Sequence, residues 1–433
     1  MVALELDTPT FNLRDLLTHS LMDGKKRQKV ETRWVHYSYD MQGDYTIPVY
    51  ENCCFILALF RAKTKETILE AKERLDHLLD FQVASGLFPT YLHEFPKATH
   101  RHLAVHLLVP FFWIDTHFGK VLEQPLLQKL QKSLERLYAF CLAAEKEKPF
   151  PPSVTAKLRA FEGRFKLEDF SPTSAVDFEN GIIAAQMLGK ERFYIEKALK
   201  WWNPQLQTAV FEPTSSFQEG CEPLPTLFEL FMFTYLKKKP PQRFFQSDHI
   251  TFLRAALFFP SDALFEEKPM MPYSLTTSNQ NLANKKGFHL LRFLWGSPNS
   301  LHSLACQNSD HFFITKESEK SVTIDYTNAL FKESDEEELI FYVDEKSTVL
   351  VDGKKETFFR LGSSLSIQTQ EHTLVLRPDL SEGEGTFCGQ ISLGDRPSQM
   401  RQERFNSYDR KITIRTLRRS PWVSISFQLD ILE

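Results

Sequence analysis

The densest group of side chains able to move protons runs from Tyr91 to His106, Tyr-Leu-His-Glu-Phe-Pro-Lys-Ala-Thr-His-Arg-His-Leu-Ala-Val-His. Histidine changes charge near neutrality, so His93 or His102 is a candidate general base or acid, and Tyr91 or Arg101 could protonate or steady a reacting oxygen. His102 and His106 are four apart and could share a metal, but His93-Glu94 is followed by Phe95-Pro96-Lys97, so no HExxH zinc motif forms. Buried, hydrogen-bonded helix histidines account for the same spacing.

Two further stretches carry polar groups at helix starts. Phe217-Gln-Glu-Gly-Cys-Glu precedes a strongly apolar run, and Glu219 and Glu222 there either complement a helix dipole or line a cleft. In Asp177-Phe-Glu-Asn-Gly, Asn180 either caps a helix or donates its amide to a substrate carboxylate. The arginines Arg415, Arg418 and Arg419 end a strand, with no aromatic platform around them that would suit nucleic acid. Glycine spacing matches neither a phosphate loop nor a dinucleotide fingerprint, and no GxSxG elbow or CxxC pair occurs. No metal or cofactor is expected.

The elements that must position these groups change character along the chain. From Tyr50 to about Leu142 apolar residues recur at helical spacing, as in Leu127, Leu130, Leu134 and Leu137. Pro110 predicts a kink or break in the helix that carries His102 and His106. Residues 144–175 read as a long connection with at most one short helix, after which helices resume to about Phe259. From Gly287 onward short runs alternate with period two and are rich in β-branched residues, which predicts an antiparallel β-sandwich. The expected division is a helical domain over 1–280 and a β-sandwich over 287–433, with 274–286 as linker.

Composition bounds the function. The 433 residues include 38 Phe, and 13% are aromatic, a load that large cores require. A net charge of −4 from 52 basic and 56 acidic residues supplies no global field for a polyanion or an anionic membrane. The apolar runs, such as Leu103 to Ile114, are too short to span a bilayer, and the N-terminus shows no secretory signal. A cytoplasmic location is expected, with non-classical export left open. Six cysteines without framework spacing read as reduced thiols.

Gly86-Leu-Phe-Pro-Thr-Tyr after paired helices, Glu179-Asn180-Gly181 at a helix start, the Glu219-Gly220 turn before an apolar helix and a following β-domain together resemble heparinase II/III-type and alginate-lyase-like polysaccharide lyases. The resemblance implies an N-terminal (α/α) toroid-like domain beside an antiparallel β-sandwich. It also implies β-elimination on an acidic, uronate-containing polysaccharide or oligosaccharide. Asn180 would then neutralise the uronate carboxylate, Tyr91, His93 or His102 would act as base or acid, Arg101 would clamp substrate, and Glu219 and Glu222 would line the cleft. The alternative is a non-catalytic relative that keeps the scaffold as a glycan-binding or protein-interaction module.

Overall fold

The computed structural model describes residues 10–38, 46–166, 175–210, 226–246, 250–261, 265, 267, 270–278, 289–308, 311–328, 338–343, 347–397, 408–420 and 422–432. By contact they divide into two units. One comprises the chain up to Lys200 with 225–240 and 248–266; the other comprises 201–224, 241–247 and 267–433.

The first unit is helical. It contains α1 (Leu13–Arg27), α2 (Val49–Ala62), α3 (Lys65–Leu79), α4 (Arg101–Phe118), α5 (Gln124–Glu147), α6 (Pro152–Phe161), α7 (Ala175–Met187), α8 (Glu191–Ala198), α9 (Leu227–Leu236) and, after the intervening α10 (Gln242–Gln246) of the other unit, α11 (Thr251–Arg254). Local chemistry sets several boundaries. Asn12 and Asp15 form a capping box at α1, and Thr226 with Glu229 forms another at α9, each satisfying amide groups that the first turn leaves without partners. Gly86 has φ +93, and a Cβ there would fall 2.5 Å from the Arg136 carbonyl oxygen, so only glycine fits this connection.

Burial around the whole of α2, from Val49 to Arg61, marks it as an interior helix. Its polar residues are therefore held by specific bonds. The Asn52 amide accepts from the Val35 N–H at 2.8 Å and donates to the carbonyls of Val35 and Pro48. Of the kink or break expected at Pro110, the break does not occur: α4 continues through it as a single helix. The proline removes the N–H that would bond the His106 carbonyl one turn back, and buried neighbours on both sides of it hold the helix together. The stretch read as a connection with one short helix carries α6, ten residues with Pro152 at its start and Val154, Ala156, Lys157 and Leu158 buried, while α5 runs on into it to Glu147.

The second unit holds two large antiparallel sheets. The seven-stranded sheet has the order β10 (Phe358–Phe359), β13 (Gly385–Pro397), β14 (Tyr408–Arg419), β8 (Glu338–Val343), β5 (Ser300–Asn308), β4 (His289–Ser297), β3 (Ser274–Ser278). The six-stranded sheet has the order β6 (His311–Glu317), β7 (Ser321–Asn328), β15 (Val423–Leu432), β12 (Thr373–Glu382), β11 (Leu365–Gln368), β9 (Thr348–Val351). Period-two burial, as in β8, sends alternate residues into one hydrophobic core that includes Trp295, Phe341, Ile412, Ile324, Leu374 and Phe427 from both sheets.

Ser274–Ser278, read from its Ser and Thr content as linker, is instead an edge strand with Ser274 opposite Leu294 on β4. A two-stranded ribbon, β1 (Trp202–Asn203) with β2 (Thr208–Ala209), also belongs to this unit. The Asn203 amide anchors it by donating to the carbonyls of Met271 and Tyr273 at 3.1 Å. Of the basic strand end, Arg415 makes an ion pair with Glu338 across β14 and β8.

Candidate functional site

The helical unit encloses a polar cluster that draws on five elements. Tyr50 and Glu51 come from α2, His106 from α4, Lys157 from α6, Glu179 from α7 and Arg254 from the end of α11. Glu51 is 0% exposed, and one of its oxygens accepts from Arg254 Nε at 3.0 Å and from Nη2 at 2.5 Å. The Arg254 guanidinium lies 5.5 Å from the centre of the Tyr50 ring, whose own centre is 5.7 Å from that of His106. His106 Nδ1 is 3.2 Å from Lys157 Nζ.

Lys157 is the unusual member. It is 1% exposed, and among the described residues its ammonium has His106 as hydrogen-bond partner and no carboxylate within ion-pair distance. Burial opposes its charge more strongly than Glu179 supports it, and the amine is pulled down to about 8. The same enclosure, with the positive charges of Lys157 and Arg254 adding to it, holds His106 well below its ordinary value and so neutral. Burial raises the Glu179 carboxyl against the opposing pull of Lys157 and Arg254, and it raises the Tyr50 phenol well above its usual range. Arg254 keeps 32% of its side chain exposed, so the cluster borders solvent on that side. A phenol that stays protonated, a buried amine poised to lose its proton and a fixed guanidinium are groups suited to proton transfer beside a bound anion.

The residues singled out in the sequence have separate settings. Tyr91 and His93 stack at 5.6 Å with an interplanar angle of 10°, on the connection before α4. Arg101 donates to the carbonyls of Ala144 and Lys148 at the end of α5 and lies 4.4 Å over the Phe150 ring, which His102 meets edge-on. That position makes Arg101 a partner of a helix C-terminus, where cations are favoured. Asn180 is 1% exposed, and neither atom of its amide has a hydrogen-bond partner among the described residues. It follows Glu179 on α7, about 100° further around the helix. Glu219 and Glu222 lie outside the described residues.

Sequence reasoning missed Tyr50, Glu51, Lys157 and Arg254. The signal for Lys157 was faint: a cation flanked by Ala156 and Leu158 in a short apolar stretch after Pro151-Pro152.

Gly181 has a steric role. A Cβ at this position would lie 2.0 Å from the hydroxyl oxygen of Tyr194 on α8, whose ring is buried against Phe178. Gly181→Ala is expected to lower stability by about 1–3 kcal/mol, read as an earlier denaturant midpoint, and the additional change Tyr194→Phe should recover part of the loss. An unchanged midpoint for Gly181→Ala would contradict the close approach of the two helices.

Comparison with known proteins adds little to this geometry. No protein-family model matches the chain, and no curated protein matches it. Among solved structures, a heparinase III gene product aligns with 99% of this chain and 87% of its own, at 10% identity and a TM-score of 0.44. This is a likeness in outline, and no residue role is carried over from it. No described helix is long and apolar enough to cross a membrane.

Proposed function

We propose that the protein acts on an acidic carbohydrate, and that the Tyr50–His106–Lys157–Arg254 cluster eliminates across the bond next to a uronate carboxylate. On this reading the helices form the toroid-like scaffold of a lyase and the two sheets its β-sandwich companion. Arg254, fixed by Glu51, holds the carboxylate and so acidifies the proton on the adjacent carbon. Neutral Lys157 removes that proton, His106 accepts a hydrogen bond from the resulting ammonium, and Tyr50 protonates the departing glycosidic oxygen as the C–O bond breaks and a C=C bond forms. The observation that carries the reading is the buried amine of Lys157, 3.2 Å from His106 Nδ1 and without a carboxylate at ion-pair distance among the described residues, an arrangement that costs stability.

The test is the absorbance of the unsaturated product when purified protein meets a panel of uronate polymers and oligomers. Turnover should rise with pH through about 8, because the base must lose its proton first. It should not fall again until the Tyr50 phenol ionises, above its ordinary 10.0. Folded protein that binds uronate oligomers and leaves every one intact would instead make it a glycan-binding module, and a profile that falls across this range would remove Lys157 as the base.

A further inference from the structure

We propose that Lys157 is also an imine-forming amine, taking a small carbonyl compound that bears a carboxylate, such as a 2-keto acid, with Arg254 holding the carboxylate. The inference uses the same site as the elimination and does not require it. A buried ammonium is normally matched by a carboxylate, because an uncompensated charge in the interior is costly. Here, among the described residues, Lys157 Nζ meets only the His106 imidazole, at 3.2 Å. Glu179 is near enough to favour the charge, Cys54 of α2 also supports it, and Arg254 opposes it. His106 stays neutral and can take a proton at Nδ1. A nucleophilic amine requires this setting: desolvated, beside another cation and next to a proton acceptor.

The step balances without an oxidant or reductant. The Nζ lone pair adds to the carbonyl carbon, the C=O π pair moves to oxygen, and a proton passes from nitrogen to that oxygen through His106. Loss of water from the carbinolamine leaves the C=N bond. The carboxylate meets Arg254 on the side where the cluster borders solvent.

The experiment is reductive trapping. Full-length protein is incubated near pH 7.5 with pyruvate and sodium cyanoborohydride, and the peptides are mapped by mass over time. An amine at about 8 has on the order of a hundredfold more neutral form at this pH than an ordinary lysine, so Lys157 should label about that much faster than exposed Lys65 or Lys120. Acetone is of similar size but uncharged. The ratio of pyruvate to acetone labelling should be larger at Lys157 than at exposed Lys65 or Lys120, and Arg254→Met should bring it down to theirs. Labelling of Lys157 no faster than the exposed lysines, or none, overturns the imine. A pyruvate-to-acetone ratio at Lys157 equal to that at the exposed lysines overturns the role of Arg254. Labelled Lys157 in protein that leaves all uronate polymers intact would sink the elimination alone, and elimination without labelling would sink the imine alone.

Discussion

Lys157→Met should abolish turnover while making the protein more stable. As the base in the proposed elimination, Lys157 supplies on the order of a thousandfold in kcat/KM, within the range for general base catalysis. The stability change follows from linkage. The folded-state amine, at about 8, lies below its ordinary 10.5, so between those values the unfolded chain binds a proton that the folded chain does not. Stability therefore rises with pH across that window, and below it the folded protein bears the full penalty of about 3 kcal/mol. Methionine keeps the length of the stem without the charge. Losing the bond to His106 offsets about 1 kcal/mol, which leaves a net gain of about 2 kcal/mol near neutrality. Denaturant titration at neutral pH and above 10.5 checks this, since at the higher pH the gain should disappear and leave a loss of about 1 kcal/mol from the missing His106 bond. A variant that is less stable at neutral pH would mean that Lys157 is held by a partner strong enough to offset its burial.

Glu51→Ala should produce a large destabilisation of the helical unit. Glu51 is wholly buried on the interior helix α2, and both of its bonds to Arg254 use one oxygen. Removing one partner of a buried ion pair costs about 3–5 kcal/mol. Arg254 retains contact with water, which places the expectation at the lower end, at about 3 kcal/mol. The pair is separable from simple cavity formation by a double-mutant cycle with Arg254→Ala, in which the coupling energy should exceed about 1 kcal/mol. Additive losses would show that Glu51 matters through packing alone. In the proposed reaction Glu51→Gln should raise KM more than it lowers kcat, because it loosens the group that holds the carboxylate.

Much of the molecule's local order was legible beforehand, for identifiable reasons. Leu130, Leu134 and Leu137 line the buried stripe of α5 at the expected spacing, with Leu126 rather than the half-buried Leu127 before them. Leu339-Ile-Phe-Tyr-Val alternates as β8 with Leu339, Phe341 and Val343 inward. Where reading failed, a stronger effect overrode a local preference. Pro110 breaks isolated helices, yet α4 runs through it because the surrounding residues are buried. Ser274-Leu-Thr-Thr-Ser looks like linker by composition but finds β4 as a pairing partner.

The candidate site shows the same division more sharply. The histidine-rich stretch drew attention through density, but density along the chain is not density in space. Arg101 turns to the end of α5, Tyr91 pairs with His93, and only His106 of that segment is seen to join the cluster. Tyr50, Lys157 and Arg254 are separated by about a hundred residues at each step, and nothing in their flanking sequence marks them as partners.

The sequence by itself determined the change from helical to alternating periodicity, and with it the class of each half, because periodicity is a property of near neighbours. Only the tertiary structure decided which polar residues meet, because that depends on how α2, α4, α6, α7 and α11 pack. Burial then decided their chemistry: the same lysine on an exposed helix face would hold its proton to the ordinary 10.5, and enclosed beside His106 it gives it up at about 8.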